Sequence, residues 1–176
     1  MFTKNSIIGI VGSGAMGSGI AQIAASAEHK TIVYDTNVAA LEKAKTNLSN
    51  SLNKLVEKQK ISSEKAQSIL NFTSFTSTIQ DFKECDLIIE AIVENIDVKQ
   101  SVFKELESIT SENCVLASNT SSLSITSIAS ACVTPEKVIG IHFFNPATLM
   151  PLVEIIPGVA TDMVIANHCQ ALINSW

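Results

Sequence analysis

His142 and Glu154 are the residues of this chain whose types and spacing best suit acid–base chemistry. His142 lies in the segment Gly140–Pro146, at the end of a predicted strand, and Glu154 lies in the apolar segment that follows. If the two strands fold back on one another, the carboxylate can bind one imidazole nitrogen and fix the tautomer of the ring. The other nitrogen can then take a proton from a substrate hydroxyl. The pair predicts a general base and the residue that orients it.

A glycine-rich segment near the N-terminus predicts a dinucleotide site. Gly12, Gly14 and Gly17 have the Gly-x-Gly-x-x-Gly spacing, and Ala15 and Met16 complete the loop. The first glycine permits a tight turn, the second lets the backbone approach a pyrophosphate, and the third allows a helix to pack closely on a strand. The helix N-terminus then supplies amide donors to the phosphates. An apolar strand precedes the loop and a helix rich in small residues follows it, which is the context that this motif requires.

Asp35 predicts which dinucleotide is bound. It ends the second predicted strand, about 20 residues beyond the loop, where such folds hold the adenine ribose. Its carboxylate can accept from the ribose hydroxyls and would repel a 2′-phosphate, so we predict NAD rather than NADP. An isolated histidine and glutamate would more often be a buried strand residue and a surface carboxylate. Beside a redox cofactor, His142 and Glu154 instead favour the oxidation of an alcohol.

The elements that must position these residues form an α/β pattern. Short, continuously apolar runs alternate with helical patterns, as in a parallel sheet that is covered on both faces. Strands are predicted at Ile7–Val11, Thr31–Tyr34, Leu87–Ala91, Val115–Ala117, Val138–Ile141 and Leu152–Ile156. Helices are predicted at Met16–Ala27, Val38–Lys60, Ser63–Leu70 (with Ser62 as its cap), Asp97–Thr110, Ile125–Ala131 and Thr161–Ser175. We predict one dinucleotide-binding domain over residues 1–176: a Rossmann-type, mainly parallel, doubly wound sheet with a helical insertion after the second strand.

Composition excludes several classes of partner. The formal net charge of −5 argues against nucleic acid and anionic membranes, because both require a basic surface. No apolar run approaches the roughly 20 residues that span a bilayer. The four cysteines are far apart and form no Cys-x-x-Cys pair, which predicts reduced thiols and no metal site. We therefore expect a soluble, cytoplasmic protein.

Four segments, in this order along the chain, resemble the NAD-binding domain of the L-3-hydroxyacyl-CoA dehydrogenase family, which includes 3-hydroxybutyryl-CoA dehydrogenases. They are Gly12–Gly17, Glu90–Glu94, Ser118–Leu123 and His142–Pro146. The similarity runs from about Ile7 to the C-terminus. It implies NAD-dependent oxidation of (S)-3-hydroxyacyl-CoA to 3-oxoacyl-CoA, or the reverse reaction, in fatty acid or short-chain acyl-CoA metabolism.

The resemblance also implies roles for individual residues. His142 matches the general base and Glu154 its paired carboxylate, while Ser121 matches a serine near the substrate oxygen and the nicotinamide. The remaining matches are cofactor contacts at Glu94, Lys99 and Asn145, and coenzyme A contacts at Ser51 and Lys58. Family members continue into a helical domain that supplies most of a dimer interface. We expect that this domain is absent here, that the chain alone has little activity, and that the full-length protein is a homodimer.

Two other functions remain open at this point. A related NAD-dependent dehydrogenase could act on free hydroxy acids or sugar acids with a similar base. Alternatively, the chain could be a non-catalytic NAD-binding protein derived from such an enzyme. The Ser51 and Lys58 matches favour the thioester substrate, and an intact pair of His142 and Glu154 favours catalysis.

Overall fold

One sheet organises the chain in the computed structural model, which describes residues 2–176. Its strands are β1 Ile8–Val11, β2 Thr31–Tyr34, β3 Thr73–Thr76, β4 Leu87–Glu90, β5 Val115–Ser118, β6 Val138–Phe143 and β7 Val153–Pro157. They lie side by side in the order β3-β2-β1-β4-β5-β6-β7. All neighbouring pairs are parallel except β6 and β7, which are antiparallel. This is the doubly wound Rossmann order with one antiparallel strand added at the edge, so the predicted fold class is confirmed.

Helices cover both faces of the sheet. They are α1 Ala15–Ser26, α2 Val38–Glu57, α3 Ser63–Phe72, α4 Ile96–Ile109, α5 Ile125–Ala129 and α6 Met163–Ile173, with short 3₁₀ turns at Ile79–Phe82 and Pro135–Lys137. One apolar cluster joins the sheet to α1 and α6, and a second joins it to α4 and α5. Both faces of the central strands are therefore buried, which explains why every residue of β1 and β4 is buried.

The helical insertion after β2 is confirmed, and it consists of α2 and α3. Leu48 and Leu52 of α2 pack with Ala66 and Ile69 of α3 against Ala25 of α1. Side-chain oxygens cap both helices, because Asn37 accepts from the amide of Ala40 and Ser62 accepts from that of Lys65. The predicted cap at Ser62 is thus confirmed.

The sequence interpretation missed strand β3. Its four residues, Thr-Ser-Phe-Thr, are mostly polar and none is fully buried. The strand pairs only with β2, at the edge of the sheet, with Thr73 opposite Thr31. An edge strand needs no continuous apolar run, so the hydrophobic signal that revealed the central strands was absent.

Several predicted boundaries were wrong by a few residues. Strand β6 continues to Phe143, because pairing with β7 satisfies its backbone beyond Ile141. Helix α2 ends at Glu57 rather than Lys60, and the chain turns at Gln59, which has a positive φ. Helix α6 begins at Met163, where the Asp162 side chain accepts from the amide of Val164. None of the helices within residues 2–176 is long and apolar enough to cross a membrane.

Candidate active site

The glycine loop is shaped by two close backbone approaches. Gly12 has a φ of 102°, and a Cβ there would lie 2.7 Å from the carbonyl oxygen of Ala91. A Cβ on Gly17 would lie 1.9 Å from the carbonyl oxygen of Gly12. Neither position therefore accepts a side chain.

Gly14 differs, because a Cβ there would meet nothing within 4 Å. It is the N-cap of α1, and no side chain caps the first turn. The open space faces backbone amides at the positive end of a helix, which is the arrangement that binds a pyrophosphate. The residues present fit the phosphates of a dinucleotide.

Asp35 is fixed to the glycine loop at the end of β2. One carboxylate oxygen accepts from the Ser13 amide at 2.9 Å and from its hydroxyl at 2.7 Å, and the other accepts from the Asn37 amide at 2.9 Å. Partial burial alone would raise the pKa of Asp35, but these hydrogen bonds outweigh it and lower the pKa. An ionised carboxylate has about four acceptor positions, so one remains for a ribose hydroxyl.

A groove of about 490 Å³ runs between α4 and the ends of β1 and β2, and we call it the α4 groove. Gly12, Gly14 and Asp35 line it together with apolar side chains of α4 and of the loop after β4. The glycine loop and the acidic residue thus line one site, as the binding of a dinucleotide requires.

His142 and Glu154 are in direct contact. The Nδ1 atom of His142 lies 2.8 Å from an Oε atom of Glu154. The His142 side chain is 15% exposed, the Glu154 side chain is 49% exposed, and the ring of Phe144 packs 4.6 Å from the imidazole. Because Nδ1 faces the carboxylate, Nε2 is the nitrogen that can exchange a proton with a ligand.

His142 lines a second cavity of about 390 Å³, here named the His142 cavity. The structure brings the following sequence-predicted residues to its wall: Met16, Glu94, Lys99, Ser121 and Asn145. Asn119 ties the two sides together, since its side-chain oxygen accepts from the Phe143 amide at 2.8 Å. Hydroxyl, amide and carboxylate groups from separate loops therefore surround one imidazole.

A buried ion pair lies beneath this cavity. The ammonium of Lys99 is 2.6 Å from Glu90, and their side chains are 1% and 0% exposed. Glu90 also accepts from the Ser118 hydroxyl and the Ile92 amide, both at 2.7 Å. Every oxygen of this buried carboxylate therefore has a partner, as burial of a charge demands.

Lys99 also reaches Glu94, at 3.3 Å. Glu94 accepts from the hydroxyls of Thr120 and Ser122 as well. Partial burial would raise the pKa of Glu94, but Thr120, Lys99 and Ser122 lower it. The family resemblance assigned Lys99 to the cofactor. Its ammonium contacts two carboxylates here, and its direct contact with a cofactor stays a prediction.

Sequence reasoning missed Glu90 as a member of the site. The available signal was a charge at the end of the otherwise apolar strand Leu87–Glu90, since a fully buried carboxylate requires a partner. No group of three or more histidine, cysteine or acidic side chains in residues 2–176 is arranged to hold a metal ion.

A third cavity, of about 570 Å³, lies between the start of α1 and one face of α2, and we call it the α2 groove. Lys43, Asn47 and Ser51 line it at four-residue intervals, so they lie on one side of the helix. Ser51 is therefore placed in a groove, but Lys58 is not; it is the C-cap of α2, roughly 10 Å further along. Lys43 was not predicted, because exposed lysines are common on this helix.

Comparison with known proteins identifies the family. Residues 7–176 match the family described as "3-hydroxyacyl-CoA dehydrogenase, NAD binding domain". A 3-hydroxybutyryl-CoA dehydrogenase from Clostridioides difficile is 46% identical over 157 residues, which is 89% of this chain and 56% of that protein. A 3-hydroxyadipyl-CoA dehydrogenase from Escherichia coli K12 is 38% identical over 169 residues, or 96% of this chain and 36% of that protein.

The fold agrees with solved structures as well. The crystal structure of 3-hydroxybutyryl-CoA dehydrogenase from Escherichia coli K12 superposes with a TM-score of 0.96 at 37% identity, covering 98% of this chain and 36% of that one. This chain thus spans between 36% and 56% of the length of these relatives. The prediction of NAD as the cofactor is confirmed by the family match. The chain belongs to the 3-hydroxyacyl-CoA dehydrogenase family, whose NAD-binding domain it matches over residues 7–176.

Proposed function

We propose that this chain acts, within its full-length protein, in the NAD-dependent interconversion of (S)-3-hydroxyacyl-CoA and 3-oxoacyl-CoA. The observation that carries the proposal is the 2.8 Å contact between His142 and Glu154 at the wall of a cavity shared with Ser121 and Asn145. The relatives named above act on a four-carbon and a six-carbon acyl chain by their names, so the proposal covers the class and not one chain length.

His142 would move the proton of the reaction. Glu154 accepts a hydrogen bond from the Nδ1–H group of His142, so Nε2 is free to accept the proton of the 3-hydroxyl. The carboxylate then stabilises the imidazolium that forms. In the reductive direction, the same nitrogen returns the proton to the carbonyl oxygen. Ser121, on the loop after β5, lines the same cavity and would hold that oxygen. The bound nicotinamide supplies the hydride acceptor or donor.

The residues of the α4 groove would hold NAD. The amides beside Gly14 face the pyrophosphate, and the remaining acceptor position of Asp35 suits an adenine ribose hydroxyl. Glu94 and Asn145 lie in the His142 cavity, beside the reacting end. The His142 cavity would thereby hold the nicotinamide end of NAD, and the α4 groove its pyrophosphate and adenosine.

The α2 groove would receive coenzyme A. Lys43 and Asn47 supply a positive charge and an amide on the same helix face as Ser51, and the phosphates of coenzyme A require such donors. Lys58 lies beyond the groove on the same helix and can meet a phosphate only outside it. We therefore propose Lys43 and Ser51 as the principal contacts of coenzyme A.

The test is the reduction of acetoacetyl-CoA by the full-length gene product, followed as loss of NADH absorbance. We expect His142→Gln to lower kcat by roughly 10²–10⁴-fold, the contribution of general acid–base catalysis, with unchanged affinity for NADH. His168→Gln on α6 is the matched control and should leave kcat unchanged. Equal rates for wild type and His142→Gln would exclude the role assigned to His142.

The same assay separates the alternatives. Turnover of free acetoacetate that exceeds turnover of acetoacetyl-CoA would favour a dehydrogenase of free hydroxy acids. Binding of NADH without turnover of either substrate would favour a non-catalytic protein.

We also propose that the full-length protein is a cytoplasmic homodimer whose dimer contacts lie mainly outside this domain. Light scattering of the full-length protein and of residues 1–176 tests that assignment.

A further inference from the structure

Two polar side chains that the proposed chemistry does not use, Tyr34 and Glu105, line the α4 groove. On one wall, Val98, Val102 and Glu105 follow each other at helical spacing along a single face of α4. Tyr34 stands on the opposite side, at the end of β2, and its ring packs edge-on against Phe82 at 5.8 Å. The groove wall therefore combines apolar side chains with an acidic and a phenolic group.

The lining of the groove offers a contact for each part of adenosine diphosphate. Gly12 and Gly14 suit the phosphates, Asp35 suits the ribose, and Val98 and Val102 offer apolar surface for the base. Val98 and Glu105 are separated by roughly 10 Å along the helix axis. With phosphates at Gly14 and the ribose at Asp35, the base would pack beside Val98 and Val102, with its outer edge toward Glu105.

That edge distinguishes the purines from one another. Adenine carries an amino group at position 6, which is a donor, whereas hypoxanthine and guanine carry a carbonyl oxygen there. An ionised carboxylate only accepts hydrogen bonds, so at position 6 it attracts the amino group of adenine and repels the carbonyl oxygen of the other two bases. Tyr34 stays a neutral hydroxyl, because burial, followed by the charges of Glu105 and Asp35, raises its pKa.

We infer that Glu105 is a specificity-determining residue that accepts a hydrogen bond from the 6-amino group of adenine. This inference rests on the proposed placement of NAD in the α4 groove. It adds a second recognition point to Asp35: the aspartate selects the ribose, and Glu105 selects the base. Glu105 is itself exposed in the described chain, so it is reachable by a ligand and tolerant of substitution.

The experiment compares binding of NADH with that of reduced nicotinamide hypoxanthine dinucleotide, which differs from NADH only in that edge. Dissociation constants are measured by calorimetry for the chain of residues 1–176. Wild type should bind NADH more tightly by roughly 3- to 10-fold, the range for one hydrogen bond. Glu105→Gln should bring the two constants close together, because an amide can either accept from an amine or donate to a carbonyl.

Two controls complete the design. Glu57→Gln removes an exposed charge at the end of α2, away from the groove. It should preserve the wild-type ratio of the dissociation constant for the hypoxanthine dinucleotide to that for NADH. Glu105→Ala should also reduce the preference for NADH, by loss of the acceptor. A wild-type ratio near one, or an unchanged ratio in Glu105→Gln, overturns the inference while leaving NAD binding intact. Failure of wild type to bind NADH at all overturns both the inference and the placement of NAD.

Discussion

Glu154 lies directly opposite His142 in the antiparallel pair β6–β7, so the register of two strands places the carboxylate against the imidazole. Successive side chains of a strand point to opposite faces, and a slip of one residue would turn Glu154 away from His142. The register is held by apolar neighbours, since Ile141 opposes Ile155 and Phe143 opposes Val153. The geometry of this pair therefore depends on the sheet and not on a flexible loop.

Glu154→Gln should show whether Glu154 acts by orienting the His142 ring or by its negative charge. Glutamine can still accept from Nδ1, but its amide can also rotate and donate to it, so the His142 ring should populate both neutral tautomers. We expect kcat of the full-length protein to fall by roughly 10- to 1000-fold, less than for loss of the base itself. Nitrogen-15 NMR of His142 measures the tautomers. A single Nδ1–H tautomer in the variant, with reduced kcat, would show that charge and not orientation is the contribution of Glu154.

The glycine loop offers a matched pair of substitutions. Gly17→Ala forces a Cβ against the backbone oxygen of Gly12, so the domain should be strongly destabilised. Gly14→Ala meets open space and should fold with a loss of about 1 kcal/mol or less in the free energy of unfolding, because alanine is a weaker N-cap than glycine.

NADH affinity tests whether the open space at Gly14 holds the pyrophosphate. The methyl group of Gly14→Ala would occupy the position that a pyrophosphate needs, so the affinity should fall by at least roughly 10-fold in a stably folded variant. Denaturant unfolding and NADH titration of the same samples give both quantities. Wild-type affinity in Gly14→Ala would mean that the phosphates bind elsewhere.

The buried pair of Glu90 and Lys99 should be far more costly to break than an exposed one. Glu90→Gln removes the nearer negative charge and leaves the Lys99 ammonium in the core with Glu94, at the longer distance, as its carboxylate partner, and we expect a loss of about 3–5 kcal/mol in the free energy of unfolding. Glu28→Gln breaks the exposed 3.4 Å pair with Lys65 and should cost less than about 1 kcal/mol. Urea denaturation of both variants checks the contrast. Similar losses for the two would contradict the role assigned to burial.

Hydrophobic pattern and motif spacing were sufficient for the central part of the fold. Strands β1, β4 and β5 are buried on both faces, so each appeared as a continuous apolar run close to its observed bounds. The glycine loop was recognised because its glycines are dictated by local backbone contacts. By contrast, β3 is polar and lies at an edge, where long-range pairing with β2 decides the structure.

The candidate site shows the same division. The contact of His142 with Glu154 could be anticipated from a turn between two apolar segments. The partners of Glu90 could not, because Ser118 and Lys99 come from different elements and only the parallel sheet brings them together. Likewise, the shared groove face of Lys43 and Ser51 depends on how α2 packs against α1.

The cysteines should be unreactive in the folded chain. Burial raises the pKa of Cys114, Cys132 and Cys169 to about 12, and burial raises that of Cys85 further. Because the thiolate is the nucleophile, Ellman's reagent at pH 8 should react very slowly with native protein and promptly with all four thiols in guanidinium. Cys132 is the most exposed and should react first. Prompt reaction of native Cys85 would contradict its placement in the core.

The carboxylate of Asp35 should make the domain sensitive to acid. Its pKa is lowered in the folded chain, so the hydrogen bonds from Ser13 and Asn37 contribute stability that is fully present above the unfolded pKa of roughly 4. That contribution is lost as the pH falls through the lower, folded pKa. Wild type should therefore be more stable than Asp35→Asn at pH 7, and the difference should shrink below about pH 4.

Urea denaturation of both proteins at several pH values between 2.5 and 7 (about the range in which carboxylates titrate) measures that difference. Glu57→Gln, an exposed carboxylate on α2, is the control and should show no such trend. NADH affinity adds an independent reading, since loss of the Asp35 charge should weaken NADH binding at pH 7 while relaxing the exclusion of NADPH. A stability difference that grows as the pH falls would have the wrong sign for a lowered pKa. In that case the Ser13 and Asn37 hydrogen bonds do not favour the ionised carboxylate of Asp35.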